Sequence, residues 1–409
     1  MYFGELAVAE RDGHRRVARS LFGLAAAGAL LLASLVGATP RAMAGTVAVD
    51  CLGADGMVFS QCTGPEIATD ADIPTTLTDT WYIVTGVIDH VGSVSISGNV
   101  RIVLANGASL TITGDAGEAG IGVPAGSQLT ITSGTGTPVG SLTVTGGDSA
   151  AGIGGDDGGD AGTIVIYGGT IDATGGSGGA GIGGGASGNA GPVTIEAATV
   201  TATGGAGAPA IGPGDGGNPS TIIMDSGTLT AIAGSGSQSL LGTFTTPGVY
   251  FYWTNTTTTD PGGDGLLVPP GTAFSNSSSY QFVKIDPAYQ LTLQSATGGD
   301  ITLGDAGYYA AGAVIDLEAQ PQAGYSFTAW YSLYGGTFGD PSSPTTTFTM
   351  PRSGTTVIAD FDEIANGPGN VNTGGAVVSW APLGLVALML LGGVVLLARK
   401  RWQSARLSD

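Results

Sequence analysis

Three aspartates fall within five positions of AGIGGDDGGD (151–160), at Asp156, Asp157 and Asp160. Closely spaced carboxylates amid glycine offer hard oxygen donors on a backbone free to turn, the chemistry of a calcium loop. The same stretch also suits a tight corner with no ligand. Asp172 and Glu196 add two more carboxylates, and a pair of acids flanking a sugar bond is what glycoside hydrolysis uses. Their spacing selects no pair, and both read equally as solvated charges on outward faces. Elimination would need a strong base beside calcium-binding carboxylates, and Arg101 is the basic side chain on offer. A hydrolytic triad would have to use His90, the only histidine after position 44, which also reads as a loop or cap residue. Tyr167 sits at an outward strand position from which its ring can stack on a pyranose, although one aromatic is a thin platform. GIGGGA (181–186) satisfies a dinucleotide fingerprint in form, but no helix follows it.

Composition narrows these options. The 409 residues include 74 glycines and carry a net charge of −20. Between 45 and 380 the only basic side chains are Arg101, Lys284 and Arg352, set against 28 carboxylates, a net charge near −25. Such a surface repels phosphate backbones, which argues against nucleic-acid partners.

The two ends carry address signals. Arg11, Arg15, Arg16 and Arg19 precede the apolar run LFGLAAAGALLLASLVGA, and AMA (42–44) offers small-residue cleavage between Ala44 and Gly45. Residues 1–44 therefore read as a signal peptide with a helical apolar segment, a retained signal anchor being the rival reading. Cys51 and Cys62 then lie in an oxidising setting, where one disulfide is expected within an N-terminal cap (45–80). At the other end, 376–398 is a charge-free run of 23 residues followed by Arg399–Arg401. As a helix it extends roughly 35 Å at ~1.5 Å per residue, enough to cross a bilayer with the basic tail (399–409) inside.

The glycine-rich middle is periodic. AGIG recurs at 119, 151 and 180, with PAIG at 209, the last two spacings being 29 residues each. TIVIYGGTIDATGG (163–176), PVTIEAATVTATGG (192–205) and TIIMDSGTLTAIAG (221–234) align at the same period without a gap. Within each unit, polarity alternates with period two, the mark of strands with one buried face. The inward columns are Ile164, Val193, Ile222; Ile166, Ile195, Met224; Ile171, Val200, Leu229; and Ala173, Ala202, Ala231. Thr170, Thr199 and Thr228 form an outward column. Fixed-period columns imply coils stacked one upon another, each too small to fold alone. In this frame the aspartates of GDDGGD do not recur while the glycines do, which favours the corner reading over the calcium cage.

On these residues, residues 81–235 resemble a right-handed parallel β-helix of the kind found in bacterial surface and polysaccharide-binding proteins. WYIVTGVIDHVGSVSISGNVRIVLANGASLTITG (81–114) matches its usual first coils. Residues 236–288 read as a capping β-segment or hinge. Residues 289–363 resemble the divergent bacterial repeat domain related to internalin-type B repeats, through YQLTL, GYYAAGAVIDLEAQPQAGYSFTAW, TTTFTMP and VIADF. There Val314, Leu317 and Ala319 lead to a turn, Phe327 and Trp330 supply a core, and Phe348 and Phe361 close it. The linker 364–375 holds NVNTGG (370–375), which resembles a sortase signal without its leucine and proline, with cleavage expected between Thr373 and Gly374. Together these resemblances imply an all-β protein of Gram-positive, actinobacterial type, with a helix at each terminus. It would be displayed outside the membrane, held in the membrane or linked to the wall by sortase. The implied work is non-catalytic, adhesin-like or glycan-binding, without a cofactor beyond possible calcium. A β-helix polysaccharide lyase or glycosidase, or a stalk without ligand, are the alternatives.

Overall fold

The computed structural model describes residues 45–54, 57–246, 248–263, 265–268 and 280–364. The signal segment, the linker beyond 364, the apolar span and the basic tail lie outside the described residues. Those described are all-β, with one 3-10 turn at Asp70–Asp72 and no α-helix.

Alternating β-branched residues between glycine corners make strands too short to stand alone. Each coil contributes three of them. One coil supplies Ile153–Gly154, Thr163–Ile166 and Thr170–Thr174; the next supplies Ile182–Gly183, Val193–Ile195 and Ala198–Thr203. Every strand pairs in parallel with its counterpart one coil away, giving three long sheets and a parallel β-helix. The first sheet contains Trp81–Val84, Asn99–Leu104 and Gln128–Ser133 before these coils, and Ser220–Met224 and Gly242–Thr245 after them. Coiling thus begins before 81, with Val58–Ile67 and Thr76–Thr78 already in parallel ladders, and passes 235.

The inward columns are in register as the period requires. Ile164 pairs with Val193 and Val193 with Ile222. Ile171, Val200 and Leu229 do the same on the second sheet, and Ile153, Ile182 and Ile211 on the third. All are buried in one continuous core. Opposite them, Thr170, Thr199 and Thr228 form the solvent ladder. The AGIG corner needs its last glycine twice over. Gly154, Gly183 and Gly212 have φ of 143°, 138° and 149°. A Cβ on Gly183 would also run into the carbonyl oxygen of Gly212 in the next coil.

Each end of the solenoid is covered on one sheet, which shortens its open strand edge. At the start, the hairpin Thr46–Leu52/Val58–Ile67 pairs into the first sheet and is closed by the Cys51–Cys62 disulfide. Ile83 and Val103 point outward, in the opposite phase to Tyr82 and Ile102, and are buried against the two cysteines. At the far end, Phe282–Ser295 lies antiparallel on the last second-sheet strand, Gly227–Ile232, with Tyr250–Asn255 beyond it. Tyr250 closes the core floor, its hydroxyl donating to Met224 O at 3.3 Å; burial pushes that phenol's pKa upward.

Phe282–Ser295 continues without a break across 288/289 into the second module. There it pairs with Gly307–Ala310 and, in parallel, with Thr355–Glu363. A four-stranded antiparallel sheet, Gly299–Leu303, Val314–Pro321, Thr345–Thr349 and Thr337–Phe338, completes this module. Leu291, Leu317, Trp330, Phe348 and Phe361 form its core, and Phe327 packs against them. Val314 is 64% exposed and Ile315 is buried, because the strand's phase places 315, 317 and 319 on the core side.

Candidate functional site

The loop aspartates go to separate tasks. Asp156 Oδ1 accepts the Ala119 N–H at 2.8 Å, one coil back. Asp160 Oδ1 accepts the Asn189 N–H at 2.7 Å, one coil forward. Asn189 Oδ1 in turn accepts the backbone and side-chain N–H groups of Asn218 at 2.9 and 2.8 Å. Asp160, Asn189 and Asn218 therefore form a ladder at the 29-residue period, in which the Asp160 and Asn189 side chains each cap the next coil's backbone. Bonds from the Asn189 backbone and side chain hold the Asp160 carboxyl below the ordinary carboxylate range. Asp157 is exposed. Among the described residues no three His, Cys, Asp or Glu side chains converge so as to hold a metal ion.

The other candidates are dispersed. Asp172 stands exposed in the second sheet's outward column, between Thr143 and Thr201. Glu196 differs from its expected solvated position: it is 7% exposed, at the corner just after the first-sheet strand Val193–Ile195. His90 Nδ1 lies 2.6 Å from Asp70 Oδ1, tying the first coil to the 3-10 turn. Gly45 O accepts the Glu66 N–H at 3.0 Å, while Ala44, Thr373 and Gly374 lie outside the described residues.

Tyr167, by contrast, is not alone. The disulfide hairpin overhangs the outer face of the first sheet and encloses a cleft of about 460 Å³. Trp81, Arg101 and Thr130 are laterally paired on neighbouring first-sheet strands, so their side chains form one outward row on its floor. Tyr167 enters from the next coil, where its N–H bonds Ile131 O. Phe59, 49% exposed, with Ser60 and Gln61 forms the hairpin wall. The hairpin is fastened on this face by the Thr132 hydroxyl, which donates to Leu52 O at 2.5 Å, and by a bridge between Cys51 and Gly134. Arg101 lays its guanidinium over the Trp81 ring, 5.2 Å from the centroid. The cleft is thus lined by three aromatic side chains, a cation over one of them and several hydroxyl and amide groups, the mixture expected of a saccharide site.

The sequence singles out Tyr167 and Arg101 separately, but not Phe59 or Trp81. The available signal was WYIV (81–84), apolar on both phases, which an uncovered sheet face would not be. The Asx ladder was also legible, since Asp160, Asn189 and Asn218 share an acceptor atom at an interval of 29 residues.

Coils stacked in parallel sheets, followed by a β-rich module on a shared strand, fit a bacterial repeat protein of surface type. Residues 289–365 match the family model of the divergent InlB B-repeat domain. Neither the curated proteins nor the solved structures contain a match to the chain. No helix among the described residues is long and apolar enough to cross a membrane.

Proposed function

We propose that the chain is a non-catalytic glycan-binding protein, adhesin-like, displayed on the outside of a Gram-positive envelope. The observation that carries this reading is the cleft under the disulfide hairpin, where Phe59, Tyr167 and the Trp81–Arg101 pair meet. Rings on a rigid parallel sheet stack on sugar faces at little entropic cost, and a disulfide holds the overhanging wall in place. The divergent InlB B-repeat match supports surface display. The apolar run 376–398 with its basic flank supports a C-terminal membrane anchor, and NVNTGG a sortase-processed one.

The test uses the purified full-length chain in detergent, incubated with a polysaccharide panel with and without calcium. A binder retains polysaccharide and releases no product. New reducing or unsaturated ends would replace this reading with a β-helix hydrolase or lyase. Neither retention nor product would leave a stalk.

A further inference from the structure

We infer that the hairpin cleft selects acidic sugars, reading the carboxylate of a uronate residue through Arg101. This rests on the glycan-binding reading and specifies its ligand class.

The first observation is electrostatic. Residues 45–380 hold 28 carboxylates and three basic side chains. Yet among the described residues the lining of this cleft contains Arg101 and no carboxylate. Lys284, by comparison, is neutralised by Asp286 at 3.3 Å. Among the described residues Arg101 has no acid within the 4.0 Å of an ion pair, in a stretch (45–380) where acids outnumber bases about ninefold. A cation without an acid partner among the described residues, in a cleft whose described lining holds no carboxylate, is suited to an anion supplied from outside.

The second observation is geometric. The Arg101 guanidinium lies over the Trp81 ring, and its five N–H donors are more than the ring itself can engage. A guanidinium edge presents two parallel donors to a planar two-oxygen acceptor. Because the indole packs against the buried disulfide cluster, the donor fork is oriented before the ligand arrives. A planar two-oxygen carboxylate on one sugar ring matches the parallel donors of a single guanidinium. Phe59 and Tyr167 supply ring faces, and Ser60, Gln61 and Thr130 supply partners for hydroxyls. A pyranose bearing a carboxylate uses all of these groups, whereas an acidic peptide leaves the hydroxyl partners idle.

The experiment titrates the full-length chain with oligomers of galacturonate, glucuronate and mannuronate. Each is compared with its carboxyl-reduced neutral counterpart of the same linkage, and with a glutamate-rich peptide. The expected result is at least a tenfold preference for one acidic oligomer over its neutral twin. Arg101→Gln should collapse that preference to within about twofold, and Arg101→Lys should restore part of it, since lysine keeps the charge but loses the fork. Arg352→Gln, which removes an equal charge elsewhere, should leave the preference intact. Equal affinity for acidic and neutral oligomers overturns the uronate inference while keeping a glycan site. So does a preference that survives Arg101→Gln. Tighter binding of the peptide than of any sugar overturns the ligand class, and binding of no saccharide overturns the glycan reading itself.

Discussion

Replacing Gly183 by alanine should damage the solenoid far more than replacing Gly158, although both residues have positive φ. At Gly183 φ is 138° and the added methyl would strike the carbonyl oxygen of Gly212 in the following coil. At Gly158 φ is 68° and nothing lies within 4 Å of the added carbon. A non-glycine residue forced into the sparsely populated region of Gly183 costs about 1–3 kcal/mol. The collision also disturbs two rungs: Gly155 N–H to Gly183 O at 2.8 Å and Gly184 N–H to Gly212 O at 3.0 Å. Each such bond contributes roughly 1 kcal/mol. Gly183→Ala should therefore lose about 3–5 kcal/mol, and Gly158→Ala about 1 kcal/mol, the left-handed penalty being partly offset by a less flexible unfolded chain. Thermal unfolding of the full-length proteins, followed by far-ultraviolet circular dichroism, should place the two midpoints roughly 6–12 °C apart. Midpoints within about 2 °C of each other would mean that the coils do not approach closely at this corner, and the stacking argument would fail there.

Other consequences follow from single residues. Ser133 faces the core beside Leu104, and its hydroxyl is buried without a hydrogen-bond partner, so Ser133→Ala should stabilise the protein by about 1 kcal/mol in denaturant unfolding; a loss of stability would reveal a hidden partner. Replacing Cys51 and Cys62 together by serine opens a loop of sequence separation 11 and should cost about 3 kcal/mol, with unchanged stability contradicting the role given to the hairpin clasp. Asp160 titrates below its unfolded value, so its stabilising contribution is present above the ordinary carboxylate range and is lost as pH falls through the folded value. Asp160→Asn keeps the Asx ladder at neutral pH and removes that acid-sensitive part, so stability measured across the acid limb should fall less steeply than in the wild type; an identical limb would contradict the ladder.

The periodic middle was legible because its strands obey one rule in every coil. Period-two alternation sorts Ile164 inward and Thr170 outward, and a 29-residue repeat sets each inward residue above its equivalent. What the rule cannot express is the covering of an outward face. Ile83 and Val103 are apolar in the outward phase, and only the hairpin's return over the sheet explains why. The cleft arises from that return, so Phe59 and Trp81, 22 positions apart in sequence, become neighbours for reasons no local pattern carries. Glu196 was misplaced for a similar reason. An acid at a corner is exposed by local pattern, but here it is 7% exposed. The phase of Val314–Pro321 is not written in its first two residues, since Val314 and Ile315 are both β-branched and the pairing of Ile315 with Phe348 decides which is buried. The capping strand escaped as well: Pro287 and the change of composition near 288 suggest a boundary, whereas Phe282–Ser295 runs straight through it.

The claim on which the functional account depends is that sugars sit against Tyr167 beneath the disulfide hairpin. Isothermal titration of the full-length chain with its best-retained oligosaccharide, repeated for Tyr167→Ala and for Tyr308→Ala, addresses it directly. Tyr308 is an exposed ring in the second module, far from the hairpin in the strand order. Loss of a stacking ring removes about 1 kcal/mol or slightly more, so Tyr167→Ala should weaken binding by roughly five- to tenfold while Tyr308→Ala leaves it unchanged. Full affinity in Tyr167→Ala, or a loss confined to Tyr308→Ala, would place the sugar elsewhere and contradict the account.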